Sequence, residues 1–410
     1  MKKVKNKIIS ISGEPVTGKG TNIKRIKQKL IERGYTEDNI HIISTGHEFR
    51  AYFKEVLKYI ANIENDEVLK DIYNNGKIRN IIQNPEYRKS FIELIAKLGT
   101  KKLPEDISIE QANNMQELAQ IRALIDTVVD EELERKGKEI NEEQRLDEVW
   151  IVDSRLGFKN IPDSFSVRLT CQPEIAGERL FNDNSRGDED NNYKSIEEAI
   201  EQREKRRLGE ISRYKQRYGV DLTDESNYNL IIDTSFSNVD DISNVILTCL
   251  DRYQNDEFIP KMWASPKQML PMQGERATYG KGTSGLSFEE LSNLIKTNGY
   301  DQNYPIKIVE VNGEKYIIEG HHRNFGTAYV GISIVPYEVL AKDNECLPKK
   351  YYGGRKANDI SNGLQAINLT GHEMFLDKIN NSFFSYNNVY SGIYSRLKNR
   401  DKDKNEIEID

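Results

Sequence analysis

The chain predicts an α/β fold, a parallel sheet flanked by helices, followed by a smaller α+β domain. Short β-branched runs alternate with segments of helical periodicity over the first 250 residues, the pattern of a parallel sheet with crossover helices. Near residue 255 that alternation gives way to a stretch punctuated by proline and glycine, the signature of a connection between domains. The length of 410 residues allows two or three domains that each bury a core. The expected division is 1–254, 255–344 and a C-terminal extension, 345–410, with no assigned chemistry.

Lys7-Ile8-Ile9-Ser10-Ile11-Ser12 reads as the first strand, ending at Gly13. After Gly18, Ile23, Ile26, Leu30 and Ile31 recur at helical spacing, and Gly34 supplies the stop. A second strand, His41 to Ser44, runs into Thr45-Gly46, and residues 47–146 read as largely helical, with turn signals at Asn74-Asn75-Gly76 and Pro104. Strands follow at Val149–Val152 and Ser166–Thr170, a highly charged helix at 195–217, a strand at Asn229–Asp233 and a helix at 239–253. The connection carries Pro260, Pro266, Pro271, Gly274, Gly280, Gly282 and Gly285. Beyond it the pattern predicts a helix at 287–297, paired strands Ile306–Val311 and Tyr316–Ile318 joined by Asn312-Gly313, a helix at 323–330 and a strand at 332–340. The last ten residues, Asp401 to Asp410, read as disordered.

Composition narrows the function classes. Thirty-seven per cent of residues are hydrophobic, and 21 Tyr with 13 Phe argue against a disordered chain. No apolar run reaches the length of a membrane span, and the apolar run behind the basic start is too short for a signal-peptide core. Three scattered cysteines, Cys171, Cys249 and Cys346, make neither a disulfide framework nor a zinc site; the chain reads as cytoplasmic and reduced. The formal net charge is −7, and the acidic excess lies in the first 260 residues. That balance argues against nucleic-acid binding through bulk charge, while local patches stay open.

The strongest local signal is Gly13-Glu14-Pro15-Val16-Thr17-Gly18-Lys19-Gly20-Thr21, a G-x-x-x-x-G-K spacing between a predicted strand and a predicted helix. Gly13, Gly18 and Gly20 let the backbone curl so that its N–H groups point at phosphate oxygens, and the helix N-terminus adds positive potential. Lys19 would reach the β- and γ-phosphates of ATP, and Thr21 would lie near Mg²⁺. Phosphoryl transfer between two anions also needs several cations. Candidates are Arg50, Arg155, Arg179, Arg186, Arg203, Arg206, Arg207 and Arg213. Arg203, Arg206 and Arg213 share a face of the charged helix, which alternatively is a solvated face laced with Glu201, Glu204 and Glu210.

With these pieces in place, residues 7–250 resemble the cytidylate kinase branch of the nucleoside monophosphate kinases, especially its compact archaeal-type members. The matching pieces include Gly18-Lys19-Gly20-Thr21, Ser44-Thr45-Gly46 with Arg50, Asp126 and Asp130, and Asp153-Ser154-Arg155-Leu156. Arg206-Arg207-Leu208-Gly209-Glu210-Ile211-Ser212-Arg213-Tyr214, Tyr218-Gly219-Val220-Asp221 and Ile232-Asp233-Thr234-Ser235 complete the match. The resemblance implies that Lys19 binds ATP phosphates, and that Ser44, Arg50, Asp126 and Arg155 hold the acceptor. It implies that Arg206 and Arg213 belong to a closing lid, and that Asp153 lies near Mg²⁺ beside Thr21. Ser154 replaces the glycine usual before that arginine. The 75 residues between Arg50 and Asp126 exceed a compact acceptor-binding insert. The acceptor is therefore open: a nucleotide, a modified nucleotide, a nucleoside, a nucleotide within a polymer, or something smaller.

A second cluster is Glu319-Gly320-His321-His322-Arg323, a strand running into a helix N-terminus with cations. Both histidines are expected to donate N–H bonds to phosphate or to carry protons, or simply to cap the helix. Adjacent histidines with no third ligand nearby make a poor metal site. Pro305 to Val339 resembles the ParB/sulfiredoxin-like superfamily, in particular members with an acid-Gly-His-His-Arg motif such as free serine kinases. That resemblance implies that Gly320 and Arg323 contact nucleotide phosphate; Glu275 is too weak a match to assign. The leading expectation is an ATP-dependent phosphotransferase with a second phosphate-binding domain. The alternatives are a DNA-linked protein whose C-terminal domain binds nucleic acid while the loop domain acts as a switch or modifies a base, and phosphorylation of a small alcohol by the C-terminal domain. The oligomeric state is open.

Overall fold

The computed structural model describes residues 6–51, 118–142, 145–182, 193–272 and 285–360. The chain divides into two compact units, Met1–Tyr228 and Asn229–Asp410. The strand and helix expected to close the first domain, Asn229–Asp233 and 239–253, fall in the second unit.

In the first unit, β1 (Lys7–Gly13), β2 (Ile40–Ser44), β3 (Val149–Asp153) and β4 (Phe165–Thr170) form the order β2-β3-β1-β4. All three pairings are parallel. Strand β1 is buried along almost its whole length, as expected of a central strand covered on both faces. Helix α1 (Lys19–Glu32) lies against β1 and β3 and buries Ile23, Ile26 and Leu30. Ile31 is exposed, so the stripe is narrower than the periodicity suggests. Residues 45–51 are helical, and α2 (Leu118–Glu142) returns the chain to β3. Leu133 and Ile140 of α2 join Ile8, Ile43, Val152 and Ile161 in one buried cluster. After β3 come a short turn of helix, α3 (Gly157–Asn160), then α4 (Pro173–Asn182) and α5 (Ile196–Tyr218).

Register places the site. Ile11 of β1 and Ser44 of β2 both pair with Asp153 of β3, so β2 and β3 end at one level and β1 runs two residues further, to Gly13. Parallel strands all end on the same side, and ligands of open α/β sheets bind at those carboxyl ends.

The second unit holds β5 (Leu230–Asp233), α6 (Val239–Gln254), β6 (Met262–Ala264), β7 (Met269–Leu270), α7 (Phe288–Asn298), β8 (Ile306–Val311), β9 (Glu314–Glu319), α8 (His321–Tyr329) and β10 (Val335–Lys342). Its strand order is β5-β6-β10-β8-β9-β7. β8 and β9 pair antiparallel across Asn312-Gly313, both at positive φ, as a two-residue hairpin turn demands. α8 begins at His321, two residues before the expected start. The connection near 255–285, read as a punctuated stretch with little periodicity, contains β6 and β7. Strands of three and two residues are too short to show a period of two. Leu347, Ala357 and Ile360 are buried with Leu270, Phe288 and Phe325, so the start of the C-terminal extension belongs to this core. The insert between Arg50 and Asp126 falls largely outside the described residues. So do Asn74-Asn75-Gly76, Pro104, Arg186, Gly274, Glu275, Gly280, Gly282 and residues 361–410.

Candidate phosphate-binding site

Gly13 ends β1 where a side chain has no room: a Cβ there would lie 2.6 Å from the Leu169 carbonyl oxygen and 2.7 Å from Thr17 Oγ1. The loop then turns through Val16 and Gly18, both at positive φ, and Gly18 caps α1 in the left-handed region. Asn22 Nδ2 donates to the Gly18 carbonyl at 3.0 Å, and Thr17 Oγ1 donates to that of Glu14 at 3.0 Å. Gly20 and Thr21 are exposed in the first turn of α1, so that turn presents its backbone and the Thr21 hydroxyl to solvent.

Two cations converge on one atom. Lys19 Nζ donates to the Gly13 carbonyl oxygen at 2.9 Å, and Arg155 donates to the same oxygen. Half-buried between them, the Lys19 ammonium is pulled down to about 7, first by desolvation and then by the Arg155 charge. Arg155 follows β3 and also pairs with Glu210 of α5, at 3.1 Å and 3.0 Å. Arg206 Nε reaches the other Glu210 oxygen at 3.3 Å. Burial pushes the Glu210 carboxyl up, but Arg155, Arg206 and Lys19 outweigh it and hold it below its ordinary range. Asp153 accepts from Ser44 Oγ at 3.2 Å, while its backbone carbonyl accepts from Thr45 Oγ1 at 3.2 Å.

Helix α5 thus brings expected residues onto the loop. Its Arg213 lies 3.8 Å from Asp126 of α2. Arg203 is 2% exposed and pairs with Glu14 at 3.0 Å, so this arginine faces inward, while Arg206 and Arg213 of the same helix are exposed. Two arginines stand apart from the converging pair. Arg50 is exposed beside Gly46, and Arg179 donates to Cys171 Sγ at 3.4 Å. The sequence reading missed Glu14, Arg168 and the inward role of Glu210. Glu14 looks like a filler position of the loop, and no periodicity marks Arg168.

Below α5, Tyr218 donates to Asp130, and Arg213 and Arg217 lie near. Burial lifts the Asp130 carboxyl to about 6; the Tyr218 hydrogen bond opposes this and the Asp126 charge adds to it. Desolvation and the Asp130 charge push the hydroxyls of Tyr214 and Tyr218 well above the usual range.

In the second unit, Gly320 is left-handed at the N-terminus of α8, and a Cβ there would lie 2.9 Å from Ile306 Cδ1. Glu319 accepts from Tyr351 at 2.9 Å and from Lys307 at 3.2 Å, and lies 3.7 Å from Arg323. Arg323 also donates to the Tyr304 carbonyl. One ring nitrogen of His321 is already engaged, which leaves its Nδ1 as the position that could donate. His321 Nε2 accepts the Met272 backbone N–H at 3.0 Å, and burial with the His322 charge pulls the ring down to about 4. His321 is therefore a neutral acceptor, tied to the backbone. Among the described residues, His322 Nε2 is buried without a hydrogen-bond partner.

No family model matches the chain. Over 150 residues, 37% of its length, it is 31% identical to an S-adenosylmethionine-dependent nucleotide dehydratase of Lacinutrix mariniflava, 28% of which is covered. It is 27% identical to the cytidylate kinase of Methanocella arvoryzae over 145 residues, 35% of this chain and 76% of the kinase. A cytidylate kinase of Natronomonas pharaonis is also 27% identical, over 33% of this chain and 66% of the kinase. The chain thus spans little more than a quarter of the dehydratase. An uncharacterized protein from Eubacterium ventriosum aligns with 60% of this chain and 99% of its own at 14% identity, with a TM-score of 0.28, too low to establish a common fold. About a third of the chain is thus similar in sequence to cytidylate kinases.

Proposed function

We propose that the chain is an ATP-dependent phosphotransferase that moves the γ-phosphoryl group to a nucleotide-like acceptor. The observation that carries this reading is the convergence of Lys19 and Arg155 on the Gly13 carbonyl. Two cations at the mouth of a glycine loop, beside a helix N-terminus, make a site for a polyanion. The similarity to cytidylate kinases supports a nucleotide as the acceptor.

In this reading the loop backbone and Lys19 hold the ATP phosphates, while Arg155 and Arg206 balance charge on the transferring group. An acceptor oxygen forms the new P–O bond as the bond between the β,γ-bridging oxygen and the γ-phosphorus breaks, and ADP leaves with that electron pair. Ser44, Arg50 and Asp126 hold the acceptor, and Arg213, paired with Asp126, sets the position of α5. Mg²⁺ fits the residues present. Thr21 offers a hydroxyl and Asp153 a carboxylate, hard oxygen donors of the kind this ion takes alongside phosphate oxygens and water. Among the described residues no cluster of three or more His, Cys, Asp or Glu could hold a metal by itself. When bound, the ion neutralises phosphate charge.

The second unit is read as a ParB/sulfiredoxin-like domain with its own phosphate site at Gly320 and Arg323. The left-handed Gly320 ahead of α8 and the cations Lys307 and Arg323 support it. With its Nε2 held by Met272, His321 would contribute through Nδ1.

The test is turnover of radiolabelled ATP against nucleosides, nucleotides, serine and DNA. Label is expected on a nucleotide-like acceptor, with transfer reduced at least ~10²-fold in Lys19→Ala. Turnover close to the unsubstituted protein's in that variant defeats the proposal, and label on DNA or serine alone moves the assignment to one of the alternatives.

A further inference from the structure

We propose that Glu14 is a positioning residue for this transfer: its carboxylate pins α5 to the phosphate loop and so fixes where the arginines of that helix stand. The inference rests on the phosphotransfer reading of the loop. Glu14 is the first residue after Gly13, inside a loop built to cradle an anion. A carboxylate there opposes phosphate binding, so its presence needs a compensating role. The contacts supply one. Arg203 reaches one oxygen at 3.0 Å, and Arg168 and Arg207 each reach the other at 3.5 Å. These guanidiniums come from β4 and from two successive turns of α5, so one side chain ties strand, loop and helix together.

With Glu204 at 3.9 Å as a more distant second partner, Arg203 tightens the tie. Its side chain is almost fully buried, and a buried cation is retained only with a partner. Its Nε also donates to the Pro15 carbonyl at 3.4 Å, so the same arginine grips the loop backbone. Glu204 takes a share of Arg207, at 2.6 Å. One turn further along α5, Glu210 pairs with both Arg206 and Arg155, and Arg155 itself donates to Gly13. The helix is therefore held to the loop at two points. Glu14 supplies the first without touching the transferring group, and Glu210 supplies the second.

Neutralising Glu14 releases the first point and leaves the second. The loop backbone and Lys19 still grip the nucleotide, now without an opposing carboxylate. Arg206, then held through Glu210, shifts with the loosened helix, and misplacement of a transition-state contact by about 1 Å costs up to about a hundredfold in rate.

The experiment is Glu14→Gln in the full chain. The expected result is a kcat lower by about tenfold to a hundredfold, a nucleotide KM unchanged or lower, and faster amide exchange over residues 196–210. Glu14→Asp, which keeps the charge, restores most of the rate. An unchanged kcat with unchanged exchange overturns the inference, as does a loss confined to KM. Should Glu14→Gln fail to fold, Arg207→Gln removes one outer partner: a several-fold fall in kcat supports the clamp, and an unchanged kcat overturns it. If the unsubstituted protein transfers phosphoryl to no acceptor, the phosphotransfer reading fails by itself. The clamp is then judged by exchange over α5 in Glu14→Gln, where faster exchange supports it and no change overturns it.

Discussion

Lys19 near pH 7 is only partly charged, because its burial and the Arg155 charge pull its ammonium down to about 7. An anion in the loop favours the protonated form, so nucleotide binding above pH 7 takes up a proton. Affinity is then fully present below pH 7 and falls by up to about tenfold per pH unit as the pH rises above it. Calorimetry at pH 8 in two buffers of different ionisation enthalpy measures the uptake; no difference between buffers counts against the geometry. His321 gives a stability test with the opposite sense of pH. Its folded value, about 4, lies below the ordinary histidine range, so between about 6.5 and 4 the unfolded chain binds more protons. Stability is full above about pH 6.5 and is lost as the pH falls toward 4. In His321→Gln, whose side-chain oxygen still offers Met272 an acceptor, unfolding midpoints are expected to depend less on pH across that window. The lysine could be picked out from its spacing to two glycines. The neutral state of the histidine could not, because it depends first on burial, which only the folded chain supplies.

At the scale of elements, α5 organises the first unit. Ser195 caps it by accepting the Glu198 N–H at 3.3 Å, and Ser195→Ala is expected to cost about 1 kcal/mol in urea unfolding. Gly177 of α4 packs directly against it: a Cβ there would come 2.2 Å from Ile200 Cγ1. Gly177→Ala, ordinarily favourable inside a helix, is therefore expected to destabilise by about 1–3 kcal/mol through overpacking. A gain in stability would show that the two helices separate readily. The charged periodicity of α5 located the helix to within a residue, yet it could not show that Arg203 faces inward. Glu and Arg three and four apart look alike on a solvated face and on one that carries buried pairs. Helices α3 and α4 escaped notice because one is a single turn and the other is too short for a clear stripe.

For the whole molecule, the two compact units carry separate candidate sites, and this separation is testable. A ligand stabilises only the state that binds it, by about 2.7 kcal/mol at a hundred times its Kd. ATP with CMP or dCMP is expected to raise the unfolding midpoint, and Lys19→Ala to abolish that shift while leaving any response that requires Arg323. Loss of both responses in one variant would mean that the sites are not independent. Among the described residues no helix is long and apolar enough to cross a membrane, in keeping with the charged composition. The sequence by itself determined the alternating strands and helices, the glycine loop and the turn at Asn312-Gly313, since each depends on neighbours within a few positions. Only the tertiary structure decided that Ser44 and Asp153 share a register, that Glu14 gathers three arginines, and that His321 is a neutral acceptor. Those outcomes depend on desolvation and on partners tens to nearly two hundred positions apart, which no local pattern encodes.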